Sequence, residues 1–226
     1  GRHYQWSSAG HYNLGSVVEF ALTNGVHLKS GKKLGADTGD ASTFTTYEQF
    51  EEAVYKQLRF LLHQFSVSQN LLEQLHYEYL PNPVASMLLT GCIEKGRDLT
   101  HGGAEFNTGP GMNGNGLADF VDSVTAVRKI VFEDKRISMA DLVAAVRADF
   151  EGCEHIRRML IEDAPKWGND DDDADVFAGE LTDFLSQTFG GTRGLLGNPR
   201  MMTIIPITSN IPQGASVSAL PSGRLA

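Results

Sequence analysis

The sequence predicts an α/β chain in which helices dominate. Apolar residues recur at helical spacing through most of its length, whereas one apolar run, Met201 to Ile211, bounded by Pro199 and Pro212, has the composition of a strand. With 226 residues and 41% apolar content the chain can also bury a substantial core.

Asn13 to Asn24 carries Leu14, Val17, Val18, Ala21 and Leu22 on one helical face, with Gly25 as a natural stop. Val26 to Thr45 is rich in Gly, Lys and Asp, with Gly31, Gly35 and Gly39 evenly spaced, and reads as an excursion over the surface. Thr46-x-x-Gln49 has the form of a capping box. Phe50, Val54, Leu58, Leu61, Leu62 and Phe65 then continue one face of a helix running toward Tyr79, which Pro81 and Pro83 end. Val84 to Leu89 is an apolar run, and Gly102 to Gly116 holds too many glycines for a regular element. Helical period returns between Leu117 and Phe132, and Ser138-x-x-Asp141 caps a further helix containing Leu142, Val143, Val146 and Phe150. Cys153 to Leu160 and Asp175 to Phe189 complete the helical segments.

A net charge of -9 without a basic stripe excludes nucleic acid as a partner, because phosphate binding needs clustered Lys and Arg. Two cysteines, Cys92 and Cys153, make no disulfide framework, and no secretory leader or membrane-length apolar run occurs. A reducing cytoplasm without membrane contact is the expected setting. The chain starts at Gly1 without Met and stops in a turn-like Pro221-Ser222-Gly223-Arg224, so an internal fragment is expected.

Residues 91 to 116 offer several candidate sites. Gly109-x-Gly111-x-x-Gly114 resembles a dinucleotide loop, but Glu105-Phe106-Asn107-Thr108 is a poor buried strand, and the acidic Glu133 and Asp134 close a helix rather than a second strand. Cys92-x-Glu94 reads either as a thiol beside a general base or as a small buried core residue. Further on, Asp171-x-Asp173-x-Asp175 fails as a calcium loop: Val176 stands where a Gly is required and Thr182 where a bidentate Glu is required. An acidic helix start fits better. The histidines show no zinc-ligand spacing, so no metal site is expected.

The order of motifs resembles the glycyl radical enzymes of the pyruvate formate-lyase family, in the dehydratase, decarboxylase and lyase branch. The residues that carry it are Gly10-His11-Tyr12-Asn13-Leu14 with Glu19, Ala21-Leu22-x-Asn24-Gly25, and Gly35-x-x-Thr38-Gly39-Asp40. They continue through Cys92-Ile93-Glu94-Lys95-Gly96-Arg97-Asp98, Gly102-Gly103-Ala104-Glu105-Phe106-Asn107, Asp122-Ser123 and Lys129-x-Val131-Phe132. Phe150-Glu151-Gly152, Pro165-Lys166-x-Gly168-Asn169-Asp170 and Pro206-Ile207-Thr208-Ser209-Asn210-Ile211-Pro212 complete the series.

This resemblance implies part of a ten-stranded α/β barrel, with residues 1–226 an internal portion of a single pyruvate formate-lyase-like domain that lacks the glycyl radical domain. It places the thiyl-forming cysteine before Gly1 and the radical glycine beyond Ala226, which makes Cys92-Ile93-Glu94 a look-alike and leaves the chain without catalytic residues, inactive alone. No cofactor is expected to bind; a separate S-adenosylmethionine-dependent iron-sulfur activase would install the radical. A small-molecule substrate and, at full length, a homodimer are also implied.

Period two on the Met201–Ile211 run puts Thr203, Ile205, Ile207 and Ser209 on one face. The family positions matching Ile205 and Ile207 contact substrate, implying an apolar wall. His27 resembles a histidine of arylacetate decarboxylases, and Glu105 is a candidate for proton transfer. Trp6-Ser7-Ser8 stands where diol dehydratases and choline lyase carry Trp-His-Asp, which counts against those activities. The expected function is anaerobic cleavage of a small organic substrate, with arylacetate decarboxylation favoured. Hydrocarbon-fumarate addition, sulfonate C-S cleavage and a non-catalytic scaffold are the alternatives.

Overall fold

The computed structural model describes residues 4–6, 9–205 and 210–226. The chain begins with β1 (Tyr4–Trp6), β2 (Ala9–Asn13), α1 (Leu14–Leu22), β3 (Val26–His27) and β4 (Lys32–Lys33). There follow α2 (Tyr47–Tyr79), α3 (Pro83–Leu88), α4 (Cys92–Lys95), β5 (Phe106–Thr108), β6 (Gly111–Asn115) and α5 (Leu117–Ala126). A π-helical extension, Val127–Glu133, precedes α6 (Met139–Arg147), α7 (Glu154–Glu162), α8 (Asp172–Gly190), β7 (Met201–Ile204) and α9 (Asn210–Ala215).

The helices start where their capping residues sit. The Asn13 side chain accepts the Gly15 amide at 3.0 Å, and Gln49 accepts the amides of Thr45 and Thr46 at 2.7 and 3.3 Å. Ser138 and Asp141 cap α6 reciprocally, as the capping-box sequence predicts. Asp172, Asp173 and Asp175 fill the first turn of α8, where the helix dipole favours negative charge. Asn82 accepts the Ala85 amide at 3.0 Å with Pro83 at the first helical position, so the apolar run Val84 to Leu89 forms most of α3.

Two expectations need correction, the first because of long-range pairing. The glycine-rich stretch Gly102–Gly116 contains β5 and β6, because strands distant in sequence supply their ladder partners: β1 pairs with β5, and β6 lies between β2 and β7. Of the run Met201–Ile211, Met201–Ile204 forms β7, with the Ile205 amide still donating to the Gly114 carbonyl at 3.2 Å, and residues 206–209 lie outside the described residues. Its end belongs to α9, where Pro212 lies in the first turn and its missing N–H costs nothing.

The described structure divides into two compact units. Unit one comprises 1–12, 63–114 and 182–205. It holds the parallel β1–β5 pair and the β2–β6–β7 sheet, in which β6 and β7 run parallel with Asn113 opposite Thr203. Unit two comprises 13–62, 115–181 and 206–226. Its core is helical: Leu14, Val17, Val18 and Leu22 of α1 are buried, α1 packs on α5, and Phe120 of α5 stacks on Phe177 with centroids 6.1 Å apart. Each such buried side chain contributes roughly 1.5–3 kcal/mol. Glu19, fully buried on α1, accepts the Leu28 amide at 2.7 Å and the Ser218 amide at 3.1 Å, tying distant loops to the helix. Gln57 plays the same part for the surface excursion, accepting the Ala36 amide and donating to the Ala36 carbonyl, both at 2.8 Å.

Candidate functional site

Cys92 opens α4 and is 3% exposed, packed in an apolar cluster with Leu99, Ala104, Ala85 and Leu89. Burial, and then the nearby Asp98 carboxylate, push the thiol pKa up, so the group is protonated near neutrality rather than an activated thiolate. Glu94 is turned to the helix start instead, where its carboxylate accepts the Gly91 amide at 2.9 Å. Cys92→Ser is therefore expected to cost about 1–2 kcal/mol of stability while leaving radical yield and turnover of the activated full-length protein unchanged. Unfolding, electron paramagnetic resonance and activity measurements on that variant check it; loss of turnover with folding and radical yield intact contradicts it.

Asp98 organises this segment. It accepts the Asn82 amide at 2.9 Å, the Ser86 hydroxyl at 2.8 Å, and the Thr100 amide at 2.9 Å and hydroxyl at 2.8 Å. Burial raises its pKa, but these bonds outweigh burial and hold the carboxyl below its usual value. A depressed folded pKa gives stability that is complete above the unfolded value, about 3.9, and is lost as pH falls through the lower folded value. The Asn82 and Thr100 amide resonances should accordingly titrate together with a midpoint below the ordinary carboxylate range; a midpoint at or above it contradicts the network.

The histidine singled out by resemblance, His27, lies in unit two with both ring nitrogens engaged, Nδ1 with the Ser30 hydroxyl at 2.8 Å and Nε2 with the Ser216 carbonyl at 2.9 Å. Its ring also meets Phe20 edge-on at 6.5 Å. In this arrangement the imidazole ties β3 to the segment after α9. Glu105 lies in unit one, half-buried just before β5, with its amide donating to Thr90 at 2.7 Å. Ile205 is half-buried at the end of β7. Ile207, Ser7 and Ser8 lie outside the described residues.

Ile205 belongs to a definable surface of unit one. A side chain at Gly114 would meet the Tyr12 hydroxyl at 2.9 Å, so Tyr12 and Gly114 share one face of the β2–β6–β7 sheet. That face is covered by α2: Tyr12 packs edge-on against Phe65 with centroids 5.2 Å apart, and a side chain at Gly10 would collide with Gln69. Strand alternation places His11, Asn113, Thr203 and Ile205 on the other face. Asn113 is 2% exposed and accepts the Thr203 hydroxyl, whereas His11 is exposed and Thr203 half-buried. The face thus sets a hydrogen-bonded polar pair beside an isoleucine, a combination able to orient a polar substituent while excluding water from an apolar portion. Thr203 shares Ile205's sequence alternation; Asn113 was concealed by the glycines around it, and the signal that could have found it is Met112-Asn113-Gly114-Asn115 read as a strand. Among the described residues no cluster of His, Cys, Asp and Glu could hold a metal ion, and no helix is long and apolar enough to cross a membrane.

A family model described as PFL-like, pyruvate formate lyase-like, matches residues 1–214. The chain belongs to the pyruvate formate lyase-like family. Among similar proteins, the isethionate sulfite-lyase of Desulfovibrio desulfuricans is 37% identical over 224 residues, 97% of this chain and 27% of the relative. The indoleacetate decarboxylase of Tractidigestivibacter scatoligenes is 23% identical over 237 residues, 95% of this chain and 27% of the relative. Hydroxyproline dehydratase from Clostridioides difficile, solved with trans-4-hydroxy-L-proline bound, superposes with a TM-score of 0.90 at 33% identity, covering 97% of this chain and 28% of that one. A glycyl radical enzyme from Archaeoglobus fulgidus superposes with a TM-score of 0.86 at 32% identity, covering 95% and 27%. This pyruvate formate lyase-like chain therefore has the α/β architecture of the glycyl radical enzymes and spans about 27% of the length of the relatives it matches.

Proposed function

We propose that the chain is an internal part of the catalytic subunit of a glycyl radical lyase, and that the Asn113–Thr203–Ile205 face forms part of its substrate wall. The observation carrying this reading is the amphipathic character of that face in a chain whose family match runs from residue 1 to 214. The Thr203 hydroxyl spends its proton on Asn113 and keeps lone pairs to accept from a substrate hydroxyl, while Ile205 shields the adjoining carbon skeleton, the role the family resemblance also gives to Ile207. The radical chemistry would come from a cysteine and a glycine outside these 226 residues, after activation by a separate S-adenosylmethionine-dependent iron-sulfur enzyme. The residues of this chain orient substrate and exclude water; Glu105 would serve proton transfer, and His27 would reach substrate only by releasing Ser30 or Ser216. The whole protein, in this reading, is a cytoplasmic homodimer.

Elimination of a polar substituent is the first reading: dehydration fits the Thr203 lone pairs, which can accept from a substrate hydroxyl, and sulfonate C-S cleavage is supported by the 37% identity to a sulfite-lyase. Arylacetate decarboxylation is the second reading, favoured by Ile205 and by the weaker 23% match to an indoleacetate decarboxylase. Anaerobic activation of the full-length protein, followed by assays with small sulfonates, hydroxylated amino acids and arylacetates, separates the two. Turnover of a sulfonate or a hydroxylated acid is expected. Turnover of arylacetates alone establishes the second reading, and absence of any radical signal after activation establishes a non-catalytic scaffold instead.

A further inference from the structure

Behind the sheet, on the side away from Thr203 and Ile205, unit one buries a pair of opposite charges. Glu73 of α2 is 2% exposed and Arg200, the residue before β7, is 8% exposed. Glu73 accepts the Leu195 amide, and Gly194 lies so close that an added side-chain carbon would sit 2.7 Å from the carboxylate and 2.8 Å from Pro110. Arg200 donates through its guanidinium to the Asn70 side chain, one turn earlier on α2. Residues 192–200 between these anchors form a tight loop, closed by the Arg193–Pro199 bridge, by the Gly194 amide on Asn198 at 2.9 Å, and by the Gly109 amide on Pro199 at 2.6 Å. One carboxylate oxygen of Glu73 and the Nε of Arg200 have no hydrogen-bond partner. Burial disfavours the charged guanidinium of Arg200 and the Glu73 charge opposes that, so removal of Glu73 leaves a buried guanidinium with less to support its charge.

We propose that Glu73 and Arg200, with Asn70, are positioning residues that fix where β7 enters the sheet and so set Thr203 and Ile205 against the substrate. This rests on the reading of the opposite face as a substrate wall. None of the three touches that face: they act through the loop 192–200 and through the β6–β7 register, in which each residue of β7 has a fixed partner from Gly111↔Met201 to Gly114↔Ile204. A shift of β7 by a fraction of a residue would carry Thr203 off Asn113 while leaving the helical core of α2 packed.

The test uses the full-length protein with Glu73→Gln and, as a milder change on an exposed helix position, Asn70→Ala. Hydrogen exchange should accelerate about tenfold at the amides of residues 201–205, with exchange in α1 and α5 unchanged. In the activated enzyme KM should rise several-fold while kcat and radical yield change less than twofold, and Arg200→Lys, keeping the charge without the planar fork, should fall between wild type and Glu73→Gln. Unchanged exchange at 201–205, or a uniform rise across the protein, overturns the proposal, as does a fall in kcat at constant KM. If wild type turns over none of the candidate substrates, the functional reading fails while the exchange measurement still decides the anchor; if Glu73→Gln does not fold, Asn70→Ala decides it.

Discussion

Replacing Glu19 with alanine is expected to destabilise the protein by about 3–5 kcal/mol. The side chain is fully buried, and its carboxylate satisfies the Leu28 amide at 2.7 Å, the Ser218 amide at 3.1 Å and the Ser218 hydroxyl at 3.3 Å. Alanine leaves those donors with no acceptor and little access to water, and each unsatisfied group costs about 1–3 kcal/mol. Glu19→Gln, retaining one carbonyl acceptor, should lose less than half as much. Urea unfolding of the full-length protein followed from a probe in unit two checks both variants; a loss below about 1 kcal/mol for Glu19→Ala would show that the Leu28 and Ser218 segments hold without the carboxylate.

Gly103→Ala is the second large effect. An added carbon there would collide with the Arg97 carbonyl oxygen and lie 2.8 Å from the Asp98 carbonyl oxygen. Both obstacles are backbone, so relief requires moving the chain rather than a side-chain tip. The Asp98 network, the Cys92 cluster and the bond between the Glu105 amide and Thr90 all sit on that stretch. A loss of about 3 kcal/mol or more is expected, with earlier proteolytic cleavage between residues 91 and 105. Gly179→Ala is the matched control: Gly179 lies inside α8 with nothing within 4 Å of the added carbon, and alanine there should stabilise by about 0.5–1 kcal/mol. Equal effects at the two positions would refute the packing role assigned to Gly103.

The contrast between those glycines shows where the sequence is legible. Helices announce themselves locally: the periodic residues of α1, α2, α5 and α6 and the caps at Asn13 and Ser138 are all within a few positions of one another. β5 and β6 do not, because Gly111, Gly114 and Asn115 have poor strand propensity, and their pairing with β1, β2 and β7 joins segments about a hundred residues apart. The same physics divides the candidate site. Ile205 came from the family resemblance, with alternation along an apolar run setting it on one face with Thr203, but Asn113 was hidden in the glycine-rich stretch, and the engagement of both nitrogens of His27 depends on Ser216, far along the chain. Glu94 could be read as a base only while its distance to Gly91 was unknown. The family was legible because it rests on the order of many short motifs, none decisive alone.

The most direct test of the central claim is an anaerobic crystal structure of the full-length protein with a substrate it turns over. Substrate atoms are expected in van der Waals contact with Ile205 and within hydrogen-bonding reach of the Thr203 hydroxyl. Substrate bound elsewhere, with the Asn113–Thr203–Ile205 face sealed beneath packed side chains, would contradict it.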